Sequence, residues 1–150
     1  MDVAQDSFVS SCMWTERIGF VSALATIKKF KRLSLEKKLI KYGQMIKKGW
    51  NEISKSTNVD ISIAGIDPIP QFNFHSNHLE KSTYVNQEML KRGYLTNTRL
   101  GTTYAYSPKI INNYLNNLYD VFNQINKYTR ENKKLPLKGP VRHETFKRLV

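Results

Sequence analysis

The chain has 150 residues and a formal net charge of +12, because its 24 lysines and arginines outnumber its 12 acids. A hydrophobic content of 40% with seven glycines and five prolines excludes a disordered, collagen-like or low-complexity chain and predicts a packed core. The most apolar stretch, residues 20–27, is far shorter than the roughly 20 residues of a membrane helix, and the N-terminus lacks the basic region of a secretory signal. Cys12 is the single cysteine, so no intrachain disulfide can form and we expect a cytoplasmic protein that does not contact a membrane.

Two consecutive helices are predicted in the first third of the chain. Apolar residues repeat at spacings of three and four over 20–27 and again over 35–53, which is typical of amphipathic helices. Ser34 is predicted to cap the second helix, with Glu36 in its first turn. The first helix has apolar residues on more than one face, so we expect a surface outside this chain to cover it.

The hydrophobic period then changes from that of a helix to that of a strand. Apolar and polar residues alternate over 58–63 and over 71–75, with a turn that contains glycine and proline between them. This pattern predicts two neighbouring strands of one sheet.

The second half of the chain is predicted to contain two helices and a third strand. A helix over 83–92 should end at Gly93, and residues 102–106 are predicted to form the strand. The last helix is predicted over 108–128, with Ser107 as N-cap and a proline in the first helical position. This order of elements predicts an α+β fold in which helices cover one face of a small, mainly antiparallel sheet.

A strongly basic segment extends over residues 28–48, where nine positive charges are opposed only by Glu36. Such a segment could make the protein a basic, non-catalytic module that binds nucleic acid or another polyanion. The same charges are also expected on the solvent faces of two lysine-rich helices, and we favour that interpretation because no nucleic-acid-binding motif is present.

The motifs of metal sites and of common enzymes are missing from the sequence. His75 and His78 are close in sequence, but the third histidine, His143, lies in the tail, so we predict no metal site. Nucleotide-binding loops and hydrolase nucleophile motifs are also missing. The residues alone therefore indicate a basic α+β domain without a recognisable catalytic centre.

Three blocks of sequence carry a family resemblance. The first reads SFVSSCMWTERIG over 7–19 and continues as ALATI over 23–27, the second reads QEMLKRGYL over 87–95, and the third reads GPVRH over 139–143 followed by FKRL over 146–149. In this order they resemble the C-terminal part of class III pyridoxal-phosphate-dependent aminotransferases, and most of all the branch around glutamate-1-semialdehyde 2,1-aminomutase.

The resemblance implies a fragment of a fold-type I enzyme that moves an amino group between or within small molecules. Residues 1–18 would be a remnant of the large cofactor domain, and residues 19–150 would be the interdomain helix and the C-terminal small domain. In the family, the lysine that forms the Schiff base with pyridoxal 5'-phosphate lies upstream of the first block. The resemblance therefore implies no catalytic residue in this chain, no activity of the chain alone, and a homodimeric, cytoplasmic full-length enzyme.

Three residues of the first block are candidates for cofactor binding. In relatives, the position of Cys12 is commonly a threonine that reaches the phosphate bound in the neighbouring subunit, and a thiol is a weaker donor. Ser10, Ser11 and nearby backbone N–H groups could also hold a phosphate, although a plain turn before a helix accounts for the two serines equally well. A second departure is Tyr106, where close relatives often carry a histidine.

Overall fold

The computed structural model describes residues 16–143, which form four helices and one two-stranded sheet. The elements are α1 (Arg17–Arg32), α2 (Leu35–Thr57), β1 (Ile61–Ala64), β2 (Gln71–Phe74), α3 (His78–Lys91) and α4 (Pro108–Arg130). The predicted α+β class is confirmed. The chain divides into two compact units, residues 1–35 and 36–150. None of the helices described has the length and apolarity needed to cross a membrane.

The helix α1 is the element of the first unit that the structure describes. This helix has no buried residue, and it ends where the N–H groups of Leu33 and Ser34 donate to the carbonyls of Lys29 and Lys31, both at 3.1 Å. Ser34 adopts a φ of 45°, whereas an N-cap residue is typically extended. Ser34 directly precedes α2, as predicted for its N-cap, but it lacks the extended backbone that is typical of a cap residue.

The sheet of the second unit consists of β1 and β2, which pair antiparallel. Ile61 lies opposite Phe74 and Ile63 lies opposite Phe72, so the predicted alternation is confirmed for both strands. Gly65 begins the turn between them with a φ of 80°, and a Cβ at this position would lie 2.4 Å from the carbonyl oxygen of Ile69. Only glycine fits a turn of this shape.

The predicted third strand over 102–106 was wrong. Arg99 forms an isolated antiparallel bridge with Gln71, so the chain meets β2 before the predicted strand begins. The N–H and the hydroxyl of Thr102 instead donate to the carbonyl of Pro68, at 2.9 and 3.0 Å. Tertiary hydrogen bonds to the hairpin turn thus replace the ladder that the alternating sequence suggested.

The core of the second unit is a cluster of aromatic and aliphatic side chains from α2, α3, α4 and the sheet. Phe72 lies at its centre, with ring centroids 4.8 Å from Trp50, 5.4 Å from Phe74 and 5.8 Å from Phe122, all in edge-to-face geometry. Trp50, Phe72 and Phe122 are completely buried. Burial of each such side chain stabilises the fold by about 1.5–3 kcal/mol.

The hairpin turn over 65–70 is held against α2 by side chains of that helix. The ammonium of Lys47 donates to the carbonyl of Gly65 at 2.8 Å and to Asp67 Oδ1 at 2.7 Å, and Gln44 Nε2 donates to Asp67 Oδ2 at 3.0 Å. The hydrogen bonds from Lys47 and Gln44 lower the pKa of Asp67. Gly43 permits the close approach, because a Cβ there would lie 1.6 Å from the Asp67 carbonyl oxygen.

Local sequence signals predicted the end of α3 and the start of α4 correctly, but they did not predict the start of α3. The predicted C-cap Gly93 is confirmed, with a φ of 82° and a hydrogen bond from its N–H to the carbonyl of Leu90 at 3.0 Å. The N-cap Ser107 is also confirmed, since its hydroxyl accepts from the N–H of Ile110 at 3.3 Å. The start of α3 was predicted at residue 83, but the helix begins at His78, where the apolar periodicity has not yet begun.

Candidate functional site

An exposed apolar surface lies on α1. The side chains of Ile18, Phe20, Val21, Leu24 and Ile27 are each more than half exposed. Contiguous apolar surface of this kind marks a site that another chain or another part of the protein covers. It is the first candidate for a functional contact.

A small apolar pocket of about 160 Å³ lies in the second unit, beside the C-terminal end of α3. Its wall includes Tyr94, Tyr106 and Tyr114 together with aliphatic side chains of α2 and α4. The buried hydroxyl of Tyr114 accepts a hydrogen bond from Trp50 Nε1 at 3.2 Å, and burial raises the pKa of Tyr114. No charged side chain lines the pocket, so it suits a small apolar group and does not fit a cofactor phosphate. Tyr106, at the position where members of the resembled family often carry a histidine, lies in this wall.

A larger pocket of about 400 Å³ lies at the N-terminal end of α3. Lys81, Lys133 and Lys134 line it, together with Ser76 and Asn77. The ammonium of Lys81 donates to Ser76 Oγ at 2.8 Å. This pocket is polar and mainly cationic, so its chemistry differs from that of the apolar pocket.

Lys81 was not predicted as a site residue, although its sequence context carries one signal. Lys81 is three and four residues before Tyr84 and Val85, which are buried in the core. On a helix that spacing places the lysine on the same side as the apolar residues, where a lysine is seldom found.

The second resemblance block forms the C-terminal half of α3 and its cap. Glu88 is almost buried, and its carboxylate accepts hydrogen bonds from Lys91, from Arg92 at 3.4 Å and from Gln87 at 2.9 Å. Burial raises the pKa of Glu88, but the hydrogen bonds from Lys91 and Gln87 outweigh burial, and the net pKa is lowered. Gln87 also accepts from the N–H of Lys138 at 2.6 Å. These contacts fasten the tail to α3 and describe a structural role for the block.

The two neighbouring histidines do not share a site. His75 Nδ1 lies 3.0 Å from Asp60 Oδ2, whereas His78 Nδ1 accepts from the N–H of Phe74 at 3.2 Å. Within residues 16–143, no group of three histidine, cysteine or acidic side chains is arranged to hold a metal ion.

The basic segment predicted over 28–48 contains three lysines with partners in the described structure. Lys47 is bonded to Asp67, Lys48 Nζ lies 3.9 Å from Glu52 Oε1 on the surface of α2, and the Lys38 ammonium lies 4.4 Å from the ring centroid of Tyr104. Lys48 and the remaining basic side chains are exposed: Lys28, Lys29, Lys31, Arg32, Lys37 and Lys41. The segment is therefore mainly a solvent-facing surface.

The candidate cofactor residues Ser10, Ser11 and Cys12 lie outside the described residues, and their role stays a prediction. Comparison with known proteins gives no relative: no family model, no curated protein and no solved structure matches this chain. The resemblance to aminotransferases thus depends on the sequence blocks alone.

Proposed function

We propose that this chain is the C-terminal part of a class III pyridoxal-phosphate-dependent aminotransferase or aminomutase of the glutamate-1-semialdehyde aminotransferase type. The ordered sequence blocks suggest the family. The observation that carries the proposal is the exposed apolar surface of α1, because the interdomain helix of such an enzyme is covered by a large domain. A basic surface module has no need for apolar residues on several faces of a helix.

In this proposal the chain binds and positions groups and does not supply the reacting lysine. The helix α1 packs against the large domain, and the second unit closes over a small amino donor or acceptor. Ser10, Ser11 and Cys12 donate hydrogen bonds to the cofactor phosphate held by the other subunit of a cytoplasmic homodimer. When bound, the cofactor supplies the electron sink that amino-group transfer requires.

The proposal is tested on the protein as its native cells make it. Antibodies raised against the purified 150-residue chain would isolate the native product for intact mass measurement, with the DNA upstream of Met1 read in parallel. We expect a chain much heavier than 17.5 kDa whose mass increases by one cofactor after borohydride reduction, since reduction fixes a Schiff base. A native product of 17.5 kDa without a reducible cofactor would overturn the proposal.

The exposed lysines of residues 28–48 favour a second candidate function, binding of a polyanion. If this segment were a nucleic-acid site, affinity for duplex DNA would fall steeply as salt rises, because each contact to a phosphate releases counterions. Under the enzyme proposal we expect weak binding at low salt that vanishes at physiological salt. Binding that persists at physiological salt and is lost when Lys37, Lys41 and Lys48 are changed to glutamine would favour the polyanion module.

A further inference from the structure

The cationic pocket at the start of α3 is independent of the proposed function, and neither α1 nor the apolar pocket takes part in it. We propose that this pocket, around Lys81, binds a phosphate group, carried either by inorganic phosphate or by a small phosphate monoester. A buried cation, two further lysines and a helix terminus without a side-chain cap lie together at this pocket.

Lys81 is a buried cation without a counter-ion in the described chain. Its residue surface is only 8% exposed, and the hydroxyl of Ser76 accepts one of its three ammonium N–H donors. Within residues 16–143 no carboxylate lies within ion-pair distance of it. A buried charge is costly unless it is paired, and burial accordingly lowers the pKa of Lys81, although the more distant charges of Glu80 and Asp60 oppose this.

The side of the pocket formed by the chain after α4 adds positive charge. Lys133 and Lys134 line this side. Glu131 bonds Lys133 at 2.8 Å and neutralises it in part, and Glu80 also lines the pocket. Glu80 and Glu131 thus offset two of the three positive charges of Lys81, Lys133 and Lys134, and the described pocket keeps a net charge of one positive, which matches a phosphate monoanion.

The first turn of α3 presents backbone donors to the same pocket. Asn77 precedes the helix with a φ of 51° and ψ of 43°, and its side chain makes no capping hydrogen bond. The first N–H groups of a helix have no acceptor within the helix, and the partial positive charge of the helix N-terminus favours an anion. Of the residues that carry these free N–H groups, Glu80 lines the pocket beside Lys81, so a phosphate there can accept from the Glu80 N–H and from the Lys81 ammonium. The pocket volume of about 400 Å³ leaves room for a small group esterified to that phosphate.

The binding test uses the full 150-residue chain and two-dimensional amide NMR. Sodium phosphate is titrated against sodium chloride at equal ionic strength, and we expect saturable shifts centred on the amides of residues 78–81 with phosphate alone. Glycerol 3-phosphate is the second probe. If it binds several times more tightly than phosphate, the pocket recognises a monoester, whereas equal affinities identify the inorganic ion as sufficient. Shifts that chloride reproduces would overturn the proposal.

Three variants with the same loss of charge locate the site. We expect Lys81→Gln to weaken phosphate binding about tenfold or more, since a charge-assisted hydrogen bond is lost. Lys134 is exposed, so Lys134→Gln should weaken binding by a smaller factor without affecting folding. Lys109→Gln, on the exposed first turn of α4, is the control and should leave the affinity unchanged. An equal effect of Lys109→Gln and Lys134→Gln would mean that only net charge matters, and this would refute the site even if Lys81→Gln failed to fold.

Discussion

The hydroxyl of Tyr114 is the acceptor for the indole N–H of Trp50 inside the core, at 3.2 Å. Tyr114→Phe leaves that buried donor without its acceptor, so we expect a loss of about 1–3 kcal/mol in the free energy of unfolding. Urea denaturation measures the change. Tyr119 is partly exposed on the same helix, and Tyr119→Phe should change stability by less than about 0.5 kcal/mol. Equal losses from both variants would contradict this role of Tyr114.

Gly43 and Gly19 allow the same substitution to be compared in opposite environments. Gly43→Ala places a methyl group on the carbonyl of Asp67, and because backbone atoms must move we expect destabilisation of about 3 kcal/mol or more. At Gly19 a Cβ would meet nothing within 4 Å, so Gly19→Ala should stabilise α1 by about 1 kcal/mol through helix propensity. Thermal unfolding and helix content, both followed by circular dichroism, measure the direction of the change in stability for each variant. A Gly43→Ala variant as stable as the parent would contradict the close approach at Gly43, and loss of stability in Gly19→Ala would contradict the open surroundings of Gly19.

Glu88 links the stability of α3 to acidic pH. Its pKa in the folded protein is lowered from the usual 4.5, so the folded state favours the ionised carboxylate. The contribution of Glu88 is therefore fully present above the usual carboxyl pKa and is lost as pH falls through the lowered value. We expect Glu88→Gln to be less stable than the parent near neutral pH and the difference to shrink on acidification, as followed by urea unfolding. A difference that stays constant with pH would show that Glu88 acts by packing alone.

At the scale of the element, α1 has apolar surface without a buried residue. Replacing Phe20 and Leu24 by serine should reduce self-association of the purified chain, because exposed apolar area drives association. The unfolding temperature of the second unit should stay the same, since neither side chain belongs to its core. Sedimentation velocity and calorimetry measure the two quantities. Ile46→Ser, in the core of α2, is the contrasting variant and should lower the unfolding temperature strongly.

Prediction from sequence succeeded where an element is specified by its own residues. The start of α4 was predicted correctly because Ser107 and Pro108 form a local cap, and the end of α3 was predicted because glycine tolerates a positive φ. Residues 102–106 alternate like a strand, but their hydrogen bonds go to a turn that lies far away in sequence. The start of α3 was missed for a related reason, since a side-chain contact from His78 to Phe74 lies outside the hydrophobic period.

The pockets could not be predicted because their walls join distant parts of the chain. Lys81 and Lys134 line the same pocket only after α3 and α4 have packed. No periodicity of helices or strands relates two residues so far apart in sequence. The candidate cofactor residues were suggested by resemblance to a family, and they lie outside the described residues. Sequence reasoning thus gave the fold class and most of the elements, while the binding surfaces came from tertiary packing.

At the scale of the whole molecule, we expect the 150-residue chain to have no aminotransferase activity. The resemblance places the lysine that forms the Schiff base upstream of the first block, so this chain would lack the group that binds the cofactor covalently. The purified chain would be incubated with pyridoxal 5'-phosphate, an amino donor and a keto or aldehyde acceptor, and product formation would be followed. Turnover above that of the cofactor alone would contradict the expectation.

The attachment of the hairpin turn to α2 has a consequence for how the second unit opens. A surface turn between two short strands is usually among the first places where a protease cuts or an insertion is tolerated. Here Lys47 and Gln44 hold Asp67, and Thr102 donates to Pro68, so local opening of the turn requires α2 to release it. The amide of Ile69, which donates to the Ile66 carbonyl at 2.9 Å, should therefore exchange with solvent only when the turn detaches from α2. Residues 65–70 are therefore a poor place for a cleavage site, a tag or a domain insertion, although their sequence suggests an ordinary loop.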